Sequence, residues 1–347
     1  MNSAPDTVVH DPPPKLRVAL AFAAVYIIWG STYLAIREGV HTIPPLLMAG
    51  VRFVIAGSVL YSLARWRGAA KPDRVHWRST LIVGGLLLLC ANGGVCWAEQ
   101  YVPSGVAALL VTTVPLWMVL MNWLRRGGVR PSGMEVIGLI LGFVGVAVLV
   151  DPRSLVGQEP VDLTGAIVLL GAAFLWALGS LYSRHTPMPS SPLLSTAMQM
   201  LCGGVLLLVA SAATGDAWKH DLTQVTLRSV LALAYLIVFG ALVGFTAYVY
   251  ILKVSTPARV GTYAYVNPAI AVLLGWWLAG EPVTWTTITA MGIILTGVVL
   301  ITVRRGRTLP TAAMPRLSVT ADAGQATPGS DAGIDAELVA PVLDRVS

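Results

Sequence analysis

Charge is scarce in this chain: 12% of its 347 residues are Asp, Glu, Lys or Arg, against roughly 25% in a soluble domain. With 56% hydrophobic residues, that scarcity excludes an ordinary water-soluble fold. Cysteine is scarce as well. Cys90, Cys96 and Cys202 are an odd set placed inside apolar stretches, which argues against a disulfide framework and for small packing residues. Histidine is missing from every long apolar run, because His10, His41, His76, His185 and His220 fall in a terminus or a connection. A histidine metal site or proton relay at lipid depth has no candidates, and the metal and cofactor expectation is none. No Gly-rich Lys-Ser/Thr phosphate loop occurs, so the chain has no ATPase module of its own. The first fourteen residues carry Asp6 and Asp11 in place of the basic start of a cleavable signal, and the first apolar segment is expected to be retained.

What fills the chain is a series of long uncharged runs. Ten spans are predicted near Val18–Ile36, Pro45–Ala64, Thr80–Ala98, Val106–Leu124, Gly133–Val150, Leu163–Ser183, Leu193–Thr214, Leu227–Leu252, Val260–Ala279 and Trp285–Val303. Each has about 18–25 residues, which suits a hydrocarbon core about 30 Å thick. The expected fold is an all-α polytopic membrane protein. Residues 1–15 and 306–347 are predicted to be disordered, the latter from its shift to Ala, Pro, Thr, Gly and Asp.

The basic residues are distributed unevenly. Lys15, Arg17, Arg65, Arg67, Lys71, Arg74, Arg78, Arg125, Arg126, Arg130, Arg184, Lys253, Arg259, Arg304, Arg305 and Arg307 fall on one side of the predicted topology. Only Arg37, Arg153, Lys219 and Arg228 fall on the other. The rich side is expected in the cytoplasm, with both termini. This placement accounts for the net charge of +6 without nucleic acid as a partner.

The two halves, 16–150 and 161–305, repeat. Pro45-Leu-Leu-Met-Ala-Gly-Val-Arg52 aligns without gaps on Pro192-Leu-Leu-Ser-Thr-Ala-Met-Gln199, with Gly57 on Gly204. Gly30-Ser31-Thr32-Tyr33 aligns on Gly179-Ser180-Leu181-Tyr182, and Pro115 on Pro268. Five spans per half is odd, so the second half enters from the opposite face, giving two inverted five-helix repeats. Pro115 and Pro268 lie near mid-depth and are predicted to break the fourth and ninth spans, freeing the carbonyls of Val111 and Ala264. Matched breaks of this kind mark a transporter's binding site.

Several segments resemble the EamA family of the drug/metabolite transporter superfamily. They are Tyr26-Ile-Ile-Trp29-Gly30-Ser31-Thr32-Tyr33, Met48-Ala-Gly-Val-Arg52-Phe53, and Tyr263-Ala-Tyr265-Val-Asn267-Pro268 followed by Gly280-Glu281. The resemblance covers roughly 16–303. It implies ten helices in two inverted repeats, export of small organic metabolites or drugs, and a pathway bordered by the first four helices of each half. At Gly128, where the pattern would set an acidic residue opposite Glu281, this chain has glycine, which argues against a symmetric role for Glu281.

Polar residues at lipid depth are the site candidates. Arg52 is costly there unless paired or hydrated; it is read either as paired with Glu99 or as a fork for an anionic substrate group. Trp29 and Tyr33 share a helical stripe with Tyr26 and Arg37, and Trp176 with Ser180 repeats the i, i+4 spacing in the second half. Gln199 stands at the place of Arg52, Tyr263 and Asn267 share a face, and Asn92 lies on one stripe with Glu99, a candidate for coupling to a proton or cation. Gly138-x-x-x-Gly142 and Gly240-x-x-x-Gly244 read as close helix contacts. The favoured function is a secondary carrier working by alternating access, with a small-molecule substrate and the lipid bilayer as partners and a homodimer left open. The alternatives are an intramembrane enzyme, for which Ser104 without a base is the sole nucleophile candidate, and a channel, which lacks a filter motif.

Overall fold

The computed structural model describes residues 15–125, 128, 130–150, 162–215, 222–255, 257–260 and 262–308. Asp6, His10, Asp11, Arg126, Arg153, Lys219, His220 and Gly261 lie outside them, as do the predicted disordered segments except for Lys15 and 306–308.

Among the described residues, nine helices are long and apolar enough to cross a membrane. They are α1 (Lys15–Val40), α2 (Pro45–Trp66), α3 (Arg74–Ala98), α4 (Ser104–Leu124), α5 (Gly133–Val150), α6 (Leu163–Ser183), α7 (Pro192–Thr214), α8 (Leu227–Ile251) and α10 (Trp285–Thr302). Between the last two lies a shorter apolar helix, α9 (Tyr263–Ala279), of 17 residues. The helix starts follow local chemistry. Pro45 and Pro192 occupy the first turn, where a missing N–H costs nothing. Asp162, Ser191 and Thr226 each accept a bond from a backbone N–H three residues on, satisfying a donor that the helix cannot.

The helices of the two halves interlock in antiparallel pairs. A Cβ on Gly50 would meet Leu208, one on Gly57 would meet Leu201, and one on Gly204 would meet Val54, so numbers rise along α2 as they fall along α7. The α5–α10 pair behaves alike, with Gly138 against Gly297 and Ile301, and Gly145 against Ile294. The first turn of α4 packs against the middle of α9, through Gly105 on Val272. Helix α1 packs on α8 and α9, and its repeat partner α6 packs on α3 and α4. Antiparallel contact between equivalent helices is what two oppositely inserted repeats require. Phe53, Met48, Leu60, Leu109, Leu110, Leu116, Leu169, Leu207 and Leu236 are fully enclosed where these helices meet.

The breaks differ from the predicted matched pair. Helix α4 is interrupted at Thr112 and Thr113, and Pro115 lies in the first turn of the second segment, Val114–Leu124. In the second half the break precedes α9, at Thr262, and Pro268 sits inside a continuous helix. The Thr262 carbonyl accepts from the backbone of Tyr265 and Val266, so the helix restarts there rather than at the proline. A second departure is symmetric: Gly85–Asn92 in α3 and Leu236–Val243 in α8 are wound as π-helix. These are the third helices of the two halves, and π winding recurs at functional sites.

Candidate functional site

The aromatic residue that α1 carries to mid-depth is held from three sides. The Trp29 ring lies edge-on to Phe245 and Tyr263, with centroids 5.2 and 5.3 Å away, and tilted against Tyr248 at 5.0 Å. Its indole Nε1 donates to the carbonyl of Gly240, 3.2 Å away. Edge-to-face geometry favours such contacts by about 0.5–1.5 kcal/mol each beyond burial. The Gly240–Gly244 spacing is what admits the ring, since a Cβ on Gly244 would lie 2.4 Å from Nε1. That stripe is therefore more than a helix contact: it forms one wall of the aromatic site.

Arg52 reaches the same segment of α8. A Cβ on Gly240 would stand 3.3 Å from its Nη2. The side chain is 5% exposed, its guanidinium carbon lies 4.8 Å from the Phe53 ring centre, and its Nε and Nη1 have no hydrogen-bond partner. The predicted pairing with Glu99 is not made. Both oxygens of Glu99 are without a partner at 2% exposure, although the two charges influence each other. Glu99 follows the last residue of α3. Burial, and then the Glu281 carboxylate, push its carboxyl well above the usual carboxylate range, against the pull of Arg37 and Arg52.

The cation that does find a carboxylate is Arg37, which donates to Glu281 at 2.5 Å. Glu281 also accepts from the backbone N and hydroxyl of Ser104 (2.9 and 2.8 Å) and the backbone N of Gly105 (3.2 Å). A carboxylate on the first two N–H groups of a helix satisfies donors that the helix leaves free and complements its dipole. Ser104, the nucleophile candidate, thus has its hydroxyl committed to this cap.

Of the other candidates, Tyr33 packs against the core within electrostatic reach of Glu99 and Tyr263. Asn267 is buried, and its amide, in the orientation that satisfies its surroundings, donates to the carbonyls of Tyr263 and Tyr26. It ties α9 to α1. Asn92 ends the π segment of α3 and accepts from the Cys96 thiol. Trp176 packs against the main hydrophobic core, which both halves share, Gln199 donates to Ser195, and Ser180 lies half-buried beside Gly179. Trp29, Tyr263 and Arg52 thus meet on one α8 segment, while Trp176, Ser180 and Gln199 occupy the symmetry-related helices. Phe245, Tyr248 and the Glu281 cap were not singled out from sequence. Glu281 had a signal there, the Gly280-Glu281 step after an apolar run.

Interlocked inverted repeats around a buried cation and an aromatic cluster define a multi-pass membrane transport protein. The chain belongs to the EamA-like transporter family, which it matches over residues 16–151 and 163–303. It is similar to the uncharacterized inner membrane transporter YedA of Escherichia coli (strain K12), 40% identical over 284 residues, covering 81% of this chain and 89% of that protein. The uncharacterized transporter YvbV of Bacillus subtilis (strain 168) is 28% identical over 288 residues, covering 83% and 92%. A probable amino-acid metabolite efflux pump of Escherichia coli (strain K12) is 25% identical over 280 residues, covering 79% and 90%. One solved crystal structure matches with a TM-score of 0.57 at 20% identity, covering 85% of this chain and 99% of that one, a likeness of fold.

Proposed function

We propose that this protein exports small organic metabolites, amino-acid-like or drug-like, across the bacterial inner membrane by alternating access. The substrate chamber is bordered by Trp29, Tyr33, Arg52, Asn92, Trp176, Ser180, Gln199, Tyr263 and Asn267. The observation that carries this reading is Arg52: a guanidinium enclosed at lipid depth, with Nε and Nη1 unpartnered, set against the Phe53 ring and reaching at Gly240 the α8 segment that also holds Trp29. An unpaired buried cation is costly. A passing anionic group would relieve that cost, and the neighbouring rings would hold an apolar body. The Lys/Arg-poor face is periplasmic in this reading, and both termini are cytoplasmic. Outward direction is supported by the likeness to a relative named as an efflux pump. Glu99 couples the cycle to protons.

The test is a metabolite comparison of cells with and without the protein, followed by flux of the accumulated compounds in proteoliposomes. Accumulation in cells lacking the protein, and saturable flux in vesicles containing it, are expected. Flux that rises linearly with concentration without saturating would point to a channel and sink the carrier reading.

A further inference from the structure

One carboxylate from the second half closes the Lys/Arg-poor end of the bundle onto the first. Glu281 follows α9, is 6% exposed, and among the described residues its carboxylate finds its partners in α1 and the start of α4. Its place is built for it. Gly280, at φ +64°, turns the chain back so that the Glu281 N–H reaches the Gly275 carbonyl at 3.0 Å. A Cβ on Gly275 would lie 2.4 Å from Glu281 Oε2, so only glycine leaves the room.

Glu99 is the second carboxylate in this region and is arranged in the opposite way. It is enclosed, lies beside the Arg37 backbone, and neither oxygen has a donor. The groups that act on it are Glu281, Arg37, Arg52, Cys96 and Tyr33. If the α9–α10 turn parts from α1 and takes Glu281 with it, Glu99 is the buried acceptor left beside Arg37. The other ion pair at this end, Arg228 with Glu38, joins α8 to α1 rather than the turn, and its arginine is 70% exposed. Such a pair is worth little. His41 lines a cleft at this end together with Arg37, Glu38 and Arg228.

We propose that Arg37 is a positioning residue with two stations: on Glu281 it holds the Lys/Arg-poor end of the path shut, and on Glu99 it stabilises the open form. This rests on the alternating-access reading above, and it assigns to named residues the closure that the reading requires.

Cys96 supplies the reporter. It is fully buried, three residues before Glu99, and influenced by Arg52 and Glu99. In a Cys90→Ser, Cys202→Ser background, sealed vesicles of each orientation are treated with a membrane-impermeant charged maleimide during transport. Glu281→Gln keeps an acceptor for Ser104 and removes the charge from Arg37; Arg37→Gln removes the member that both stations share. Glu281→Gln is expected to raise the labelling rate of Cys96 from the Lys/Arg-poor face at least about tenfold, whereas Arg37→Gln, which removes both stations, is expected to raise it less than Glu281→Gln does. Glu99→Gln is expected to lower it below the parent, a change of opposite sign that general loosening would not give. Equal labelling of parent and Glu281→Gln, labelling of Arg37→Gln at or above that of Glu281→Gln, or faster labelling of Glu99→Gln, overturns the proposal. A parent labelled from neither face during transport would count instead against alternating access itself.

Discussion

Replacing Gly244 with alanine would set a methyl group 2.4 Å from the Trp29 Nε1 and 2.9 Å from its Cδ1, well inside the roughly 3.5–4.0 Å of an ordinary contact. The indole cannot simply retreat, because Phe245, Tyr248 and Tyr263 touch it on other sides. Overpacking of this kind costs about 1–3 kcal/mol. A displaced Nε1 also gives up its bond to the Gly240 carbonyl, worth about 1 kcal/mol. A total loss of about 2–4 kcal/mol is expected, read as thermal unfolding of the purified protein in detergent. Gly171→Ala is the control, since nothing lies within 4 Å of its Cβ and its effect should stay within about 1 kcal/mol. The decisive measurement is the double variant with Trp29→Ala, which removes the ring and should abolish most of the Gly244→Ala penalty. A penalty no larger than that of Gly171→Ala, or one undiminished without the ring, would refute the account of this wall.

Three further outcomes are expected. Arg52→Lys should weaken binding of carboxylate substrates by about tenfold, some 1.4 kcal/mol, through loss of the planar fork, with neutral substrates much less affected; ligand-dependent tryptophan quenching reads both. Because the Glu99 carboxyl is raised in the folded protein, the folded state holds more protons than the unfolded one above the ordinary carboxylate range, and stability falls there as pH rises. Glu99→Gln should therefore flatten the unfolding-versus-pH curve, matching the parent near pH 4 and exceeding it near pH 8, and should remove the dependence of flux on a pH gradient. Gly297→Leu should destabilise the α5–α10 pair by more than about 3 kcal/mol, because a Cβ there already lies 2.6 Å from the Gly138 carbonyl; thermal unfolding measures it.

Much of the fold could be read from sequence because spans are set by composition alone. Ten predicted runs correspond to nine helices long enough to cross and one of 17 residues, and the gapless match of 45–52 on 192–199 made α2 and α7 equivalent, though their contact with each other emerged only in the structure. The site was legible only in part. Trp29, Arg52 and Tyr263 stood out as polar or aromatic residues at lipid depth. Which of their neighbours would reach them depended on the rotation of α8 about its axis, and nothing local encodes that rotation.

Composition and periodicity by themselves determined an all-helical, membrane-embedded, twice-repeated chain with a basic face and a basic-poor one, since burying backbone in hydrocarbon leaves helices as the solution for such runs. Only the tertiary structure decided that Glu281 goes to Arg37 and the start of α4, that Glu99 and Arg52 stay unpaired, and that α3 and α8 are wound as π-helix. The Glu281 contacts join residues more than 170 positions apart, and there packing chooses among partners that are chemically equivalent in sequence.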